Sequence, residues 1–347
     1  MISNNEFFHN LNFYCKEKTP FSCFRLPNKS IIECHSANKK KISKEKKPDG
    51  SGFIMMPFDT SKEGYLIHSD KIISTKSVKT ISYKNPNLTK KIMELNIHKN
   101  DYLKDVSDII EKIINSDLLK SVYSRVFDFN ISSPNIFEYF KKLLNLYPED
   151  FCYLFYHPDE GFWMGASPET LLKIQDGKLS TMALAGTKKI DNSTWGAKEL
   201  NEQKIVQEEI RKNLMPFCDD LNFGKTKSSR AGNIDHIKTI ISGNSSSSPR
   251  EIIKVLHPTS ATAGVPRKKA LLNIYSKEKH NRLFYSGYLG LINDENCNLY
   301  VNLRSMNIKN NIAKIFVGGG ITKYSEPEKE WEEILQKSIT MLNVLFD

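Results

Sequence analysis

The spacing of apolar residues along this 347-residue chain predicts helices and strands in alternation. Apolar side chains recur at helical intervals in three segments, and runs of β-branched and aromatic residues bounded by turn-forming residues lie between them. The predicted helices cover residues 101–115, 136–147 and 197–217. The predicted strands cover residues 52–58, 64–67, 120–127, 151–156, 161–166, 179–184, 282–292, 299–306 and 315–317. The strands at 151–156 and 161–166 are expected to form a hairpin.

Three segments lack such a pattern. Residues 1–47 are polar with a few aromatics, and their lysine-rich end is predicted to form a surface loop. The segment 185–187 is expected to turn after the preceding strand. Residues 223–249 are rich in glycine, serine and lysine and are predicted to form an exposed, mobile loop.

The stretch from residue 315 to 337 is the most informative one. A short apolar strand leads into three consecutive glycines at 318–320, whose backbone can turn because no Cβ is in the way. A flat ligand could lie against that bare backbone. Ser325 is then predicted to cap a helix that has Pro327 and acidic residues in its first turn.

The helix predicted after Ser325 carries charged residues on one face. Glu330, Glu333 and Lys337 are spaced at i, i+3 and i+7 and therefore point the same way. One interpretation is an ordinary solvated face. The other is a magnesium site beside an anionic ligand, because Mg²⁺ binds one or two carboxylates and leaves positions for ligand and water. A P-loop is excluded, since no Gly-Lys-Ser/Thr follows the glycines.

The formal net charge of +10 favours an anionic small-molecule partner. Nucleic acid is not expected as a partner, because no aromatic residues interleave the basic runs and no binding module is recognisable. No apolar run approaches the roughly 18 to 20 residues of a membrane span, and the N-terminus has no signal-peptide pattern. The six cysteines are scattered and contain no Cys-x-x-Cys pair, which favours reduced thiols. We therefore expect a cytoplasmic monomer without a membrane partner.

Seven short sequence motifs follow one another along the chain between about residues 115 and 345. They are Gly165-Ala-Ser-Pro-Glu169, Leu184-Ala-Gly-Thr187, the helix with Glu202, His257-Pro258 with Gly264 and Pro266, Arg282 with Tyr285-Ser-Gly-Tyr-Leu-Gly290, Val301-Asn-Leu-Arg304, and Gly318-Gly-Gly-Ile321 with Glu330-Trp-Glu-Glu333. On these motifs the chain resembles the chorismate-utilising enzymes, and most closely the isochorismate synthases among them.

The resemblance implies an α/β (α+β) fold with two stacked, mostly antiparallel β-sheets around a central cleft and helices outside. Residues 1–347 would form a single chorismate-binding domain. Residues 1–100 are the less diagnostic, β-rich part of it, and residues 115–345 carry the motifs. The reaction implied is the conversion of chorismate to isochorismate, which needs a base, an acid, a cation and groups that bind two carboxylates.

The resemblance also assigns roles to residues. Lys120 matches the strand lysine that activates water, and Glu169 matches the acid that protonates the leaving hydroxyl. Glu202 and Glu333 match the Mg²⁺ ligands, with Glu330 as a third carboxylate. The residues implied to contact chorismate are Gly186, Thr187, His257, Tyr285, Arg304, Gly318, Gly319 and Lys337. Arginine suits the enolpyruvyl carboxylate because its guanidinium can bind both oxygens.

The chain departs from the family pattern at three places, with Gln203 where many relatives have histidine, a less typical sequence around Phe284, and Thr262 inside the His257 turn. Anthranilate and aminodeoxychorismate synthases use ammonia and generally lack the activating lysine, so Lys120 favours water as the nucleophile. Salicylate synthase keeps the lysine and also eliminates pyruvate, and it remains the alternative. A basic, non-enzymatic binding protein would not explain why four residues fall on motif positions of the family, namely Lys120, Glu169, Glu202 and Glu333. Menaquinone and catechol siderophore pathways both remain open.

Overall fold

Helices and antiparallel strands alternate in the computed structural model, which describes residues 1–38, 41–77, 88–190, 194–231 and 234–346. The helices are α1 (Asn4–Lys16), α2 (Leu88–Glu94), α3 (Lys99–Ile114), α4 (Ile136–Leu146), α5 (Ala197–Leu214), α6 (Pro249–Leu256), α7 (Arg267–Lys277) and α8 (Pro327–Phe346). The predictions for 101–115, 136–147 and 197–217 are confirmed within a few residues, since the last of these ends in a short 3₁₀ turn at Met215–Phe217.

The strands lie between these helices along the chain. They are β1 (Phe21–Arg25), β2 (Ile31–Ser36), β3 (Ile42–Glu45), β4 (Gly52–Met56), β5 (Gly64–Ile67), β6 (Lys71–Lys76), β7 (Lys120–Asn130), β8 (Phe151–His157), β9 (Gly161–Ser167), β10 (Thr170–Gln175), β11 (Lys178–Lys189), β12 (Asn222–Phe223), β13 (Lys227–Ala231), β14 (Ile234–Asn244), β15 (Gly264–Val265), β16 (Tyr288–Ile292), β17 (Cys297–Val301), β18 (Ser305–Lys309) and β19 (Ile312–Thr322). The β8–β9 hairpin is confirmed, with Phe151 opposite Ser167.

Two large antiparallel sheets contain these strands. The first sheet has the order β15-β7-β19-β18-β9-β8-β1-β2-β6, and the second has the order β12-β14-β11-β10-β17-β16-β4-β5-β3, with β13 also pairing with β14. The chain enters the first sheet at its beginning, builds both sheets in turn, and returns to the first sheet at its end. Two mostly antiparallel sheets with helices were expected, and this architecture is confirmed.

An aromatic core joins the two sheets. Phe24 and Trp163 from the first sheet and Phe53 and Tyr65 from the second are buried in one cluster. Phe151 of β8 stacks on Tyr300 of β17 with 4.1 Å between ring centroids. Offset aromatic stacking and the burial of large rings favour this face-to-face packing of the sheets.

Helices cover the outer faces of the sheets. Apolar residues of α1, α3, α4 and α8 pack in one core cluster with the first sheet. Apolar residues of α5 and α6 pack in another cluster with the second sheet. Each of α3, α4 and α6 has a stripe of buried residues facing its sheet, as an amphipathic helix requires.

Several local predictions were wrong. Residues 1–47 contain α1 and three strands, whereas a surface loop was predicted for the end of this segment, where β3 lies; residues 39 and 40 of that lysine run lie outside the described residues. The predicted mobile loop at 223–249 contains β13 and the eleven-residue strand β14. The β-branched residues of β14 pair with β11 along its whole length, so tertiary pairing outweighs the local polar composition.

The end of the chain also differs from the prediction. The strand predicted at 282–292 begins only at Tyr288, and the strand predicted at 299–306 is two strands that belong to different sheets. The glycines at 318–320 do not turn but continue β19 to Thr322. The Ser325 hydroxyl accepts a hydrogen bond from the Thr322 N–H at 3.1 Å, while α8 begins at Pro327 as expected.

Among the residues that the structure describes, no helix combines the length and the apolar character needed to span a membrane.

We expect Phe151→Ala to lower the free energy of unfolding by about 3–5 kcal/mol, because it removes the ring that stacks across the two sheets and leaves a cavity. Urea denaturation measures this change. Leu272→Ala on the exposed side of α7 is the control and should change stability by less than about 0.5 kcal/mol. Equal effects of the two variants would contradict the packing described here.

Candidate active site

A cavity lies between the two sheets where β7 and β19 of the first face β11 and β14 of the second. Its lining includes polar and charged side chains from both sheets and from the connections beside them, together with bare glycine backbone. The lining residues are Val122, Pro168, Glu169, Leu184, Ala185, Gly186, Thr187, Glu202, His236, Ala261, Thr262, Tyr285, Ser286, Leu303, Arg304, Phe316, Val317, Gly318, Gly320 and Lys337. Eight of the residues predicted from the sequence are in this group. They are Glu169, Gly186, Thr187, Glu202, Tyr285, Arg304, Gly318 and Lys337.

Arg304 reaches this cavity because the chain changes sheets immediately before it. Strand β17 ends at Val301 in the second sheet, and β18 begins at Ser305 in the first. Arg304 has a left-handed backbone conformation with φ of 48°, which is uncommon for a residue with a side chain. Its carbonyl accepts a hydrogen bond from the Ala166 N–H at 3.1 Å. The buried guanidinium is therefore fixed by the crossing between the sheets.

His236 on β14 holds the guanidinium from the opposite sheet. Its Nε2 lies 2.6 Å from an Arg304 guanidinium nitrogen, and its Nδ1 lies 3.0 Å from the Gly186 carbonyl oxygen. Burial, with Arg304 and Lys337 nearby, lowers the pKa of His236 to about 3. The ring is then neutral at pH 7, so Nδ1–H donates to Gly186 and Nε2 accepts from Arg304.

A bulge in β11 presents the Gly186 carbonyl to His236. The register between β11 and β14 shifts between Ala185 and Thr187, where a turn had been predicted. Gly186 has φ of 71°, and a Cβ at this position would lie 2.9 Å from the Glu199 Cβ. Only glycine fits here without strain.

Glu169 lies on the short link between β9 and β10. The Ser167 hydroxyl donates to the Val301 carbonyl at 2.5 Å, and the Glu169 carbonyl accepts from the Val301 N–H at 3.0 Å. The Glu169 side chain is buried in the cavity wall. Burial raises its pKa to about 8, and Lys120 and Lys337 only partly offset that effect. This carboxyl therefore keeps its proton at neutral pH.

Lys120 is completely buried beside the cavity and is not part of its lining surface. It is the first residue of β7, which pairs with β15 on one side and β19 on the other. Its Nζ lies 3.0 Å from Glu202 Oε1. Both side chains pack on Gly320, where a Cβ would lie 2.2 Å from Glu202 Oε1 and 2.9 Å from Lys120 Cε. Gly320 is thus required for this pair to lie against the strand.

Glu330 and Glu333 of α8 lie on the outer side of β19. A Cβ at Gly319 would lie 3.2 Å from Glu330 Oε2 and 3.8 Å from Glu333 Oε1. Lys337, one turn further on, donates to the Gly318 carbonyl at 2.9 Å and to Glu333 Oε1 at 2.7 Å. The face predicted for Glu330, Glu333 and Lys337 is therefore packed on the glycine strand and is not solvated.

Lys198 of α5, which the sequence interpretation did not consider, joins these glutamates to Glu202. Its Nζ lies 3.1 Å from Glu330 Oε1, 3.2 Å from Glu333 Oε2 and 3.8 Å from Glu202 Oε2. Burial raises the pKa of Glu330 to about 7, with Lys198 opposing that rise and Glu333 adding to it. Burial acts in the same direction on Glu333, but Lys198 and Lys337 hold its pKa well below the usual range.

The three carboxylates fit a hard cation in chemistry. Their oxygens converge from two helices, and Glu330 Oε2 is buried without a hydrogen-bond partner. Carboxylate oxygens are the ligands that Mg²⁺ takes from proteins. As the side chains now lie, however, no group of three His, Cys, Asp or Glu residues within the described ranges is arranged to hold a metal ion. Lys198 lies between the three glutamates.

Two further predicted residues, Gly319 and His257, also lie away from the cavity surface. Gly319 faces Glu330 and not the cavity. His257, which was expected to lie beside the ligand ring, is buried elsewhere: its Nε2 lies 3.1 Å from the Pro57 carbonyl oxygen, and its ring packs edge-on against Tyr288. The histidine that lines the cavity is His236. The β-branched residues that follow it, Ile237, Thr239, Ile240 and Ile241, were the available strand signal, but the surrounding glycine and serine residues obscured it.

Comparison with known proteins agrees with these motifs. Residues 60–346 match the family model described as chorismate binding enzyme. The chain belongs to the chorismate binding enzyme family. Over 250 residues it is 30% identical to isochorismate synthase MenF of Escherichia coli K12, covering 67% of this chain and 57% of that protein. Over 303 residues it is 26% identical to anthranilate synthase component 1 of Bacillus subtilis, covering 80% of this chain and 57% of that protein.

A solved structure shares the fold of this chorismate binding enzyme. The menaquinone-specific isochorismate synthase MenF of Escherichia coli superposes with a TM-score of 0.77 at 20% identity, over 94% of this chain and 88% of that one. This chain spans about half to three fifths of the length of the curated relatives it matches. The relatives include proteins named isochorismate synthase and proteins named anthranilate synthase, so the choice of reaction has to be argued from the site.

We expect Gly320→Ala to lower the free energy of unfolding by about 1–3 kcal/mol, because the new methyl overlaps Glu202 and Lys120, which are both buried and cannot move apart freely. Chemical denaturation measures the loss. Gly224→Ala is the matched control, since a Cβ there would meet no atom closer than the Ile240 carbonyl oxygen, at 3.3 Å. A Gly320→Ala protein as stable as the control would contradict the close packing of the pair.

Proposed function

We propose that this chorismate binding enzyme is an isochorismate synthase, which isomerises chorismate to isochorismate. The observation that carries the proposal is a buried lysine, Lys120, electrostatically coupled to a buried carboxyl, Glu169, that holds its proton at neutral pH. An amine beside the cavity and a protonated carboxyl in the cavity wall suit a reaction that removes a proton from one oxygen and delivers one to another.

The chemistry balances with these two groups. Lys120 takes a proton from a water molecule whose oxygen forms a bond to one ring carbon of chorismate. Glu169 gives its proton to the C4 hydroxyl, whose bond to the ring breaks, so that it leaves as water. One proton then passes from Lys120 back to Glu169, and the pair returns to its starting state. Water is consumed and released in equal amounts, which makes the overall reaction an isomerisation.

The remaining cavity residues would bind and orient the substrate. Arg304 and Tyr285 would bind the enolpyruvyl carboxylate, and His236 supports this role because it fixes the guanidinium direction. The flat ring would lie against the bare Gly318 backbone in the cavity wall, close to Tyr285, whose hydroxyl would lie 3.0 Å from a Cβ at this position. Thr187 lies beside His236 and completes this wall.

The ring carboxylate needs a positive partner, because it would lie near Glu202 and the glutamates of α8. We propose that this partner is Mg²⁺, held by Glu202, Glu330 and Glu333. The buried Glu330 Oε2, which has no hydrogen-bond partner, supports Glu330 as one of the ligands. When bound, the cation supplies positive charge to the ring carboxylate. Lys337 lies between Glu333 and the Gly318 carbonyl and adds a second positive charge at the cavity.

The second candidate is salicylate synthase, which the buried lysine also allows. Anthranilate synthase is less well supported, although a curated relative has that name, because ammonia needs no lysine to activate it. The product would serve a menaquinone or a catechol siderophore pathway.

Incubation of the protein with chorismate and Mg²⁺ should yield isochorismate, measured by chromatography that separates it from salicylate and anthranilate. We expect Lys120→Ala to lower kcat at least about 10²-fold, since a base acts mainly in the transition state. Chorismate affinity by calorimetry should stay within a few-fold of the original. Lys329→Ala, an exposed lysine on α8, is the control. Near-normal turnover by Lys120→Ala, or anthranilate formed only with ammonia, would overturn the proposal.

The pH dependence of kcat/KM should report Glu169. This parameter follows the free enzyme, in which the required form is protonated and the pKa is about 8. The protonated acid prevails below that pH, so kcat/KM should fall about tenfold per pH unit above it. Glu169→Gln should lose this limb and lower kcat about 10²-fold or more.

Glu328→Gln, at an exposed position on α8, should keep the profile of the original protein. If the limb persists in Glu169→Gln, or if only KM rises, the acid is a different group.

A further inference from the structure

Lys198 occupies a position in the acidic cluster that none of the proposed catalytic steps uses. It is the second residue of α5, one turn before Glu202, and its side chain is only 14% exposed. The ammonium lies within 3.8 Å of one oxygen from each of Glu202, Glu330 and Glu333. A positive group at the point where three carboxylates converge occupies the place that a cation ligated by them would take.

Lysine ammonium groups already lie against these carboxylates. Lys198 contacts all three glutamates, and Lys337 is paired with Glu333. A divalent cation added here would lie a few ångströms from the Lys198 ammonium, and repulsion at that range inside a protein is strong. The cation and the ammonium therefore cannot share the same carboxylate oxygens at low cost.

The structure offers the Lys198 side chain another place. A second, outer cavity lies on the solvent side of the cluster and is lined by Lys198, Glu330 and Glu333. Glu326 and Glu332 line the same cavity and are about three-fifths exposed. The flexible lysine side chain could turn into this cavity and keep its charge near those acids and water.

We infer that Lys198 is a displaceable internal counter-ion: its ammonium holds the three glutamates together when no divalent cation is bound, and it leaves for the outer cavity when Mg²⁺ takes their oxygens. This inference rests on the proposed role of the glutamates as Mg²⁺ ligands. Lys198 therefore sets the Mg²⁺ concentration at which the site fills, because each Mg²⁺ ion that binds has to displace the Lys198 ammonium.

Calorimetric titration with Mg²⁺ alone, without chorismate, tests the inference. Lys198→Met keeps the length of the side chain and removes its charge, and we expect it to bind Mg²⁺ at least about tenfold more tightly than the original protein. With chelator present the same variant should have a lower Tm, because three carboxylates lose a shared partner. Mg²⁺ should raise its Tm more than it raises that of the original protein.

Two further variants separate this inference from the proposed function. Lys329→Met removes an equal charge from the same outer cavity at an exposed position and should leave Mg²⁺ affinity within about twofold. Glu333→Ala should lose Mg²⁺ binding. If the original protein and Lys198→Met both fail to bind Mg²⁺, the proposed metal site itself is wrong. If Glu333→Ala loses binding while Lys198→Met binds no more tightly than the original protein, the metal site stands and the displacement is wrong.

Lysine acetylation provides a second measurement. It uses the original protein and therefore does not depend on whether a variant folds. Mass spectrometry should show the acetylation rate of Lys198 rising at least about fivefold with saturating Mg²⁺, because the amine moves from a buried cluster towards solvent. The rate at the exposed Lys329 should not change. An unchanged rate at Lys198 with the site filled would overturn the inference.

Discussion

Three buried glutamates and three lysines form the charge network on which the candidate site depends. None of Glu202, Glu330 and Glu333 could be buried between α5, α8 and β19 without a partner, because an unpaired buried carboxylate is costly. Each glutamate is paired, and the glycine strand provides the space in which the pairs lie. The same network places charge beside a cavity that would bind a dicarboxylate. Stability of the fold and chemistry of the site therefore depend on the same side chains.

The sequence predicted the long amphipathic helices and the hairpin well, because their apolar spacing is local and strong. It failed where pairing partners decide the structure. Strand β14 lies in a serine-flanked segment with many polar residues, and it pairs with β11 along its whole length and with β12 and β13 on its other side. The glycines of β19 allow a turn locally, but an eleven-residue pairing with β7 keeps them extended. Local flexibility in such segments says little about which conformation the whole sheet selects.

The candidate site shows the same difference between features that local sequence predicts and features that depend on long-range packing. The resemblance to the family identified Glu169, Arg304 and six other cavity residues, and several of these positions are marked by neighbouring glycine or proline. The resemblance could not place His236, which lies in the segment predicted to be a loop, or Lys198, whose importance depends on the helix α8 more than one hundred residues later. His257 carried a stronger motif than His236 and yet contacts Pro57 outside the cavity. A sequence motif identifies a residue, whereas the direction in which its side chain points depends on the packing of elements that are distant in the sequence.

The crossing between the sheets also has a mechanical consequence. Asn302, just before Arg304, accepts a hydrogen bond from the Tyr153 hydroxyl of the first sheet at 2.7 Å and donates one to the Phe284 carbonyl at 2.9 Å. Its backbone exchanges hydrogen bonds with Ser286 and Gly287. These hydrogen bonds of Asn302 therefore resist sliding of the two sheets at a position two residues before the arginine. The orientation of the Arg304 guanidinium is therefore fixed by the fold. A carboxylate that binds it would not have to restrict this side chain, because the conformational entropy was already lost during folding.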